Sequence, residues 1–257
     1  MMYRTYLIDL DDTLFDFQAA EAAAFRHLLE QANIPWTQPR FETYRRINEG
    51  YWQRLSRGEV TKQVLLPARF EDWLKQENLQ GDPEKLNENY LTLLSQQGTL
   101  LPGALDMMRT LHQRGKVVIV TNGVARAQHG KIQRSGLTPY IHHLLISEDV
   151  GAEKPHPLIF EKALEAAGEQ DRRYALMVGD SPGSDIQGAH NAGIDSCLYD
   201  PFGKYATVKC TNRITHLSGG LAPQGDQCMN QELNQVFFTA PCPGRFIVAL
   251  PWVQHRA

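Results

Sequence analysis

Asp9, Asp11 and Asp12 stand at the end of the apolar run "YLI" and lead directly into Thr13. An aspartate after a strand is often only a turn former. Asp9 and Asp11, two positions apart, project instead to a common region, where two carboxylates repel unless one is protonated or a cation intervenes. Asp180 and Asp185, in "GDSPGSD", supply still more negative charge. Such a cluster is the hard, oxygen-rich surrounding that Mg²⁺ selects. Thr121, Asn122 and Gly123 close the apolar run "KVVIV". They form a simple turn, or a set of hydroxyl, amide and backbone N–H groups for phosphate oxygens. Lys154, in "EKP", is by itself an ordinary surface lysine. Beside a metal–carboxylate cluster, one cation offsets charge and grips a phosphoryl oxygen.

These groups matter only if the fold brings them together. Residues 5–9 read as a short buried strand. From Leu100 onward, strands alternate with helices. "LPGALDMMRTLHQRG" is a helix with Pro102 in its first turn, Leu105, Met108 and Leu111 on one face and a stop at Gly115. "KVVIVTNG", "HLLISE", "YALMVGD" and "IDSCLYD" are strands, separated by the helices "VARAQHGKIQRSG", "PHPLIFEKALEAAG" and "GSDIQGAHNAG". "NRITHLSGG" has room for one more strand. This rhythm predicts an α/β fold with an open, Rossmann-like parallel sheet covered by helices on both faces. In such sheets ligands sit at the carboxyl ends of the strands, and all four polar clusters fall there. Residues 17–97 break the rhythm. They contain amphipathic helical stretches, such as "AAEAAAFRHLLEQA" and "RFETYRRINEGYWQRLSRG", and no convincing strand. We read them as a helical domain inserted after the first strand. The expected division is a core of residues 1–16 and 98–220, a helical insert of 17–97, and a tail of 221–257 with no sustained period.

Composition narrows the function classes. The chain has 257 residues, 42% of them hydrophobic, and a formal net charge of −3. That balance argues against a grip on DNA or RNA polymer, which calls for a basic surface. The longest apolar stretch, "FIVALPWV", falls far short of the ~20 residues that span a bilayer. The N-terminus has no signal-peptide layout. The four cysteines show no CxxC pair and read as free thiols, so a cytoplasmic protein is expected, with no membrane partner, as a monomer or homodimer.

Taken together, the four clusters resemble the haloacid dehalogenase (HAD) superfamily of phosphohydrolases. "DLDDT" fits its DxDxT motif, "IVTNG" its threonine motif, "EKP" its lysine motif and "GDSPGSD" its terminal acidic motif, in order and at the right spacing. The insert is similar to the family's helical cap of the first type. Within the superfamily, "INEGYWQRLSRGEVTKQVLLPARFEDW" and "SGLTPYIHHLLISEDVGAEKPHPLIFEKALEAAG" look most like the bacterial pyrimidine 5′-nucleotidases. The resemblance implies a Mg²⁺-dependent phosphomonoester hydrolase working through an aspartyl-phosphate, with a nucleoside monophosphate as its small phosphorylated substrate. It makes Asp9 the nucleophile and Asp11 the general acid and base. Mg²⁺ is then held by Asp9, Asp11 through its backbone carbonyl, and Asp180, with Asp185 close by. Thr121, Asn122, Gly123 and Lys154 hold the phosphoryl oxygens, Thr13 supports the loop, and Asp12 is architectural. Phe15, Phe17, Asn48, Trp52 and Arg69 are the expected contacts to the leaving group. A sugar-phosphate phosphatase, a phosphosugar mutase and a non-catalytic binding protein of the same fold are the alternatives. A dehalogenase is disfavoured, because it needs no acid at the position of Asp11.

Overall fold

The strands are nearly unbroken apolar runs, as expected of a sheet buried on both faces. The computed structural model describes residues 3–218, so the predicted tail, Cys228 and Cys242 lie outside the described residues. Six strands, β1 (Thr5–Ile8), β2 (Lys116–Thr121), β3 (His143–Ile146), β4 (Ala175–Gly179), β5 (Asp195–Tyr199) and β6 (Asn212–Ile214), form one sheet in the order β3-β2-β1-β4-β5-β6. Every pairing is parallel, and Ile8 at the end of central β1 faces Ile119 on one side and Val178 on the other. The winding reverses direction at β1, which opens a crevice at the carboxyl ends of β1, β2 and β4.

Both faces are covered by the helices α5 (Ala104–Arg114), α6 (Ala125–Ser135), α7 (Ser147–Val150), α8 (Pro157–Ala167) and α9 (Gln187–Ala192). One face packs Tyr6, Ile8, Val117 and Ile119 against Met107, Met108 and Leu111. The other packs Leu7, Val118 and Val120 against Ile159, Phe160 and Ala163.

Between β1 and β2 the chain forms four helices with a core of their own: α1 (Phe17–Gln31), α2 (Gln38–Ser56), α3 (Lys62–Gln76) and α4 (Pro83–Leu94). Each begins at an oxygen-bearing side chain that satisfies one of the unpaired amides of the first turn. Asp16 accepts from the Ala19 amide at 3.0 Å, Thr37 from Arg40 and Thr61 from Val64 at 3.4 Å, and Asp82 from Glu84 at 3.0 Å. Asp16 therefore has a capping role outside the acidic cluster. Phe25, Tyr44, Phe70, Trp73 and Tyr90 fill the middle of this cap with ring-to-ring contacts. Two neighbouring crossings join cap and core: the Leu101 amide donates to Leu14 O at 2.8 Å, the Asp16 amide to Thr99 O at 3.1 Å, and Phe15 bridges Leu100.

Two local expectations are corrected. Pro102 precedes α5 and is not in its first turn: Gly103, with φ of +85°, reverses the chain and the helix starts at Ala104. "GSDIQGAHNAG" is not one regular helix. Ser181, as the cap, opens a wide π turn over Pro182–Ile186, where the Ile186 amide reaches Ser181 O at 3.2 Å, before α9 begins. The wider turn carries Asp185 back over Gly179.

Candidate active site

Asp9 leaves β1 with its amide still paired to Val178 O at 3.0 Å, so the carboxylate inherits the rigidity of the central strand. Lys154, from the loop after α7, inserts its ammonium between Asp9 Oδ1 and Asp185 Oδ1, the latter at 2.7 Å. Lys154 and Asp185 are both fully buried. Asp185 Oδ2 accepts from the Ser181 amide at 3.0 Å. Thr13 bridges the other side, its Oγ1 lying 3.3 Å from Asp9 Oδ2 and 3.4 Å from Asp180 Oδ1. One oxygen from each of Asp9, Asp180 and Asp185 can be chosen within 4.8 Å of the other two.

The electrostatics follow from this crowding. Burial, against the opposing pull of Lys154, pushes the Asp9 carboxyl up to about 7, with Asp185 adding to the rise. Burial and the Asp9 and Asp185 charges push Asp180 up to about 9. Burial works against the Lys154 charge, yet Asp185 and Asp9 outweigh it and raise its pKa. Three carboxylates against one ammonium leave the cluster electron-rich. The donor set is all carboxylate oxygen, which fits a hard divalent cation such as Mg²⁺. Asp9, Asp180 and Asp185 could all hold it, since a carboxylate oxygen that accepts one hydrogen bond keeps a second lone pair.

The turn at the end of β2 is built from inside. Thr121 Oγ1 accepts from the Gly123 amide and from Gln128 Nε2, each at 3.0 Å, so its own hydrogen is left to donate outward. The Asn122 side chain is occupied with positioning. Its Nδ2 donates to Lys154 O at 2.9 Å and its Oδ1 accepts from the Lys154 amide at 2.7 Å, which fixes the lysine loop to the turn. The two glycines have steric reasons. A Cβ on Gly179 would lie 2.2 Å from Asp185 Oδ2, and one on Gly123 would lie 1.7 Å from Gln128 Nε2.

Asp11 stands apart from the Asp9 cluster, turned towards α6. Gln128 Nε2 donates to its Oδ2 at 2.7 Å, and Lys131 forms an ion pair with its Oδ1. Sequence reasoning missed both partners. The available signal was two long polar side chains three positions apart in α6, next to its apolar Ala127 and Ile132. Asp12 takes a left-handed backbone, φ +58°, at the turn. Its carboxyl, pushed up to about 6 by burial and by Asp11, borders a separate cleft of about 800 Å³.

A cavity of about 220 Å³ lies over this floor, lined by Asp9, Asp11, Thr121, Asn122, Gly123, Lys154 and Asp180 from the core. Phe17, Trp52, Arg69, Tyr90, Leu91 and Leu94 of the cap form its roof. Three of the five expected leaving-group contacts, Phe17, Trp52 and Arg69, therefore reach it. Phe15 does not: it is 1% exposed and belongs to the core beneath the sheet's end. Asn48 stands behind the roof, joining Glu21, Arg69 and Trp52 at 2.8, 2.8 and 3.1 Å.

Residues 3–193 match the family described as haloacid dehalogenase-like hydrolase. The chain belongs to that family. It is 36% identical over 197 residues to the pyrimidine 5′-nucleotidase YjjG of Escherichia coli, covering 77% of this chain and 86% of that protein. It is also 36% identical over 202 residues to the pyrimidine 5′-nucleotidase PynA of Streptococcus pneumoniae, covering 78% and 85%. The magnesium-bound crystal structure of the HAD-hydrolase YfnB of Bacillus subtilis superposes with a TM-score of 0.81 at 34% identity, over 91% of this chain and 98% of that one. Among the described residues, no helix is long and apolar enough to cross a membrane.

Proposed function

We propose that this HAD-family hydrolase is a Mg²⁺-dependent phosphatase of pyrimidine nucleoside 5′-monophosphates that works through an aspartyl-phosphate on Asp9. The observation that carries the reading is the pairing of floor and roof. A rigid carboxylate, flanked by Asp180, Thr121 and Lys154, faces a small chamber walled by aromatic and aliphatic side chains. The floor suits a phosphoryl group, and the rings of Phe17, Trp52 and Tyr90 in the roof suit stacking on a flat base. Both nucleotidase relatives have names that agree with this substrate class.

In this mechanism an Asp9 oxygen attacks phosphorus in line, and the bond from phosphorus to the leaving oxygen breaks. The Thr121 hydroxyl and the third N–H of Lys154, whose other two meet Asp9 and Asp185, donate to the phosphoryl oxygens as negative charge spreads over them. Asp11 protonates the departing oxygen. It then takes a proton from the water that attacks the aspartyl-phosphate, releasing inorganic phosphate. A bound Mg²⁺, held by Asp9, Asp180 and the Asp11 carbonyl, supplies positive charge that lets an anionic nucleophile meet an anionic phosphate. The roof excludes water and selects the leaving group. We place the enzyme in the cytoplasm as part of the same proposal, in keeping with the free thiols of Cys197 and Cys210.

The deciding experiment is release of inorganic phosphate from UMP, dUMP, dTMP and a panel of sugar and triose phosphates, with Mg²⁺ and with EDTA. Turnover of the pyrimidine nucleotides that EDTA abolishes is expected. Turnover of sugar phosphates with the nucleotides ignored would overturn the substrate class. Undiminished turnover in EDTA would overturn the metal assignment.

A further inference from the structure

The least explained feature of the site is the hold of α6 on Asp11. A carboxylate at the mouth of a solvated cleft ordinarily needs no internal ion pair. Here both oxygens are tied, Oδ2 to Gln128 Nε2 at 2.7 Å and Oδ1 to the Lys131 ammonium. Lys131 and Gln128 are each 1% exposed, and Asp11 is the only ion-pair partner of Lys131 among the described residues. The ammonium also lies 5.4 and 5.5 Å from the ring centres of Phe15 and Phe17, a cation–π geometry that helps to hold it in place. Those two rings flank the first crossing into the cap. Lys131 thus sits beside that crossing and holds Asp11 from there.

Gln128 adds a second tie. Its one amide nitrogen serves Asp11 and Thr121 together, so the acid and the phosphate-binding hydroxyl are linked through one group. Gly123 has no Cβ in the space this amide nitrogen fills. The Gln128 Oε1 atom is buried with no hydrogen-bond partner. A buried amide and a buried ammonium, one on each oxygen, leave the Asp11 carboxyl little freedom to turn.

We propose that Gln128 and Lys131 are positioning residues that aim the Asp11 carboxyl at the leaving-group oxygen. The inference rests on the reading of Asp11 as the general acid. In the step concerned, the Asp9–phosphorus bond forms, the bond from phosphorus to the leaving oxygen breaks, and the Asp11 proton passes to that oxygen. Correct aim matters most when the leaving group is a poor one. An alkoxide needs the proton, whereas p-nitrophenolate departs without it. A residue that only supported the fold would affect both substrates alike.

The test compares kcat/KM, which reports phosphoryl transfer to Asp9, for UMP and for p-nitrophenyl phosphate. If UMP is ignored, whichever alkyl phosphate the enzyme hydrolyses takes its place, so failure of the substrate class stays separate from failure of this inference. Lys131→Met is expected to lower kcat/KM for the alkyl phosphate roughly 10- to 100-fold and that for p-nitrophenyl phosphate by no more than about 3-fold. Asp11→Asn should show the same selectivity, and the double variant should be no worse than Asp11→Asn alone. If Lys131→Met does not fold, Lys131→Gln, which leaves the Gln128–Thr121 bond in place, replaces it. Equal losses on both substrates, no loss on either, or additive losses in the double variant would overturn the proposal. If Asp11→Asn itself lacks the selectivity, the proposal falls with the acid assignment.

Discussion

The floor and the roof of the cavity are both buried, yet they handle polar groups in opposite ways. In the floor, two ammonium groups are set directly against carboxylates: Lys154 lies between Asp9 and Asp185, and Lys131 pairs with Asp11. In the roof, the buried Arg69 guanidinium is held by the neutral amide oxygens of Asn48 and Asn87 at 2.8 and 2.9 Å. Glu21 joins it only through Asn48. Fixed ion pairs preorganise a reacting centre, because they need not reorganise as charge moves. Amide-bridged charges in an aromatic wall shape a pocket without adding a reactive group. On the proposed reading, chemistry belongs to the core and selection to the cap.

Removing the proposed nucleophile breaks the comparison most completely. Asp9→Asn is expected to lower kcat roughly a thousandfold or more while cap stability, followed by thermal melting, stays unchanged. Gly123→Ala is next. The new Cβ collides with Gln128 Nε2, so Asp11 loses one tie, and activity on alkyl phosphates is expected to fall about 10-fold, measured beside Gln128→Leu. Metal binding tests the charge excess of the floor. A divalent cation needs ionised ligands, and the free carboxyls of Asp9 and Asp180 titrate near about 7 and 9. Binding at pH 7 should therefore release protons, and affinity should rise as pH is raised towards 9. Calorimetry in buffers of different ionisation enthalpy measures that release; none observed would contradict the shared-charge description.

The smallest effect belongs to the roof. Burial pushes Glu21 from its ordinary 4.5 up to about 7, against the pull of Arg45 and the Asn48 hydrogen bond. Its carboxyl holds a proton more tightly in the folded than in the unfolded state. The resulting stabilisation is full below the unfolded value and is lost as pH rises through about 7. Glu21→Gln is expected to remove that dependence. At pH 8 it should stabilise the protein by on the order of 2 kcal/mol, seen as a melting shift of several degrees, with little change at pH 5. A melting shift at pH 5 as large as that at pH 8 would show that burial of the charge is not the cause.

Residues at strand ends were legible in the sequence because a parallel sheet gives them one address. Asp9, Thr121 and Asp180 each follow an apolar strand, and the topology gathers such positions whatever the details of packing, while Lys154 was legible through its motif in the loop after α7. Asp185 was legible through its motif, although the π turn that brings it back over Gly179 was not: an extra residue per turn has no periodic signature. Gln128 and Lys131 were illegible for another reason. A polar residue inside a helix faces solvent or site according to the angle at which that helix docks, and the angle of α6 is set by its contacts with α4 and the linker. Phe15 failed in the same way. An aromatic beside a catalytic motif can face the ligand or the core, and here its partners are core residues.

The paired crossings at Leu14–Asp16 and Thr99–Leu101 have a consequence for the history of the chain as much as for its mechanics. The polypeptide leaves the sheet and re-enters it at a single place, so the whole helical insert is, for the core, equivalent to one hairpin loop. The entropy of closing such a loop grows only with the logarithm of its length. Lengthening, shortening or exchanging the insert would therefore leave the strand order and the aspartates at its edge intact. A hydrolase built in this way can acquire a new substrate through a change at one junction, with its catalytic floor inherited whole.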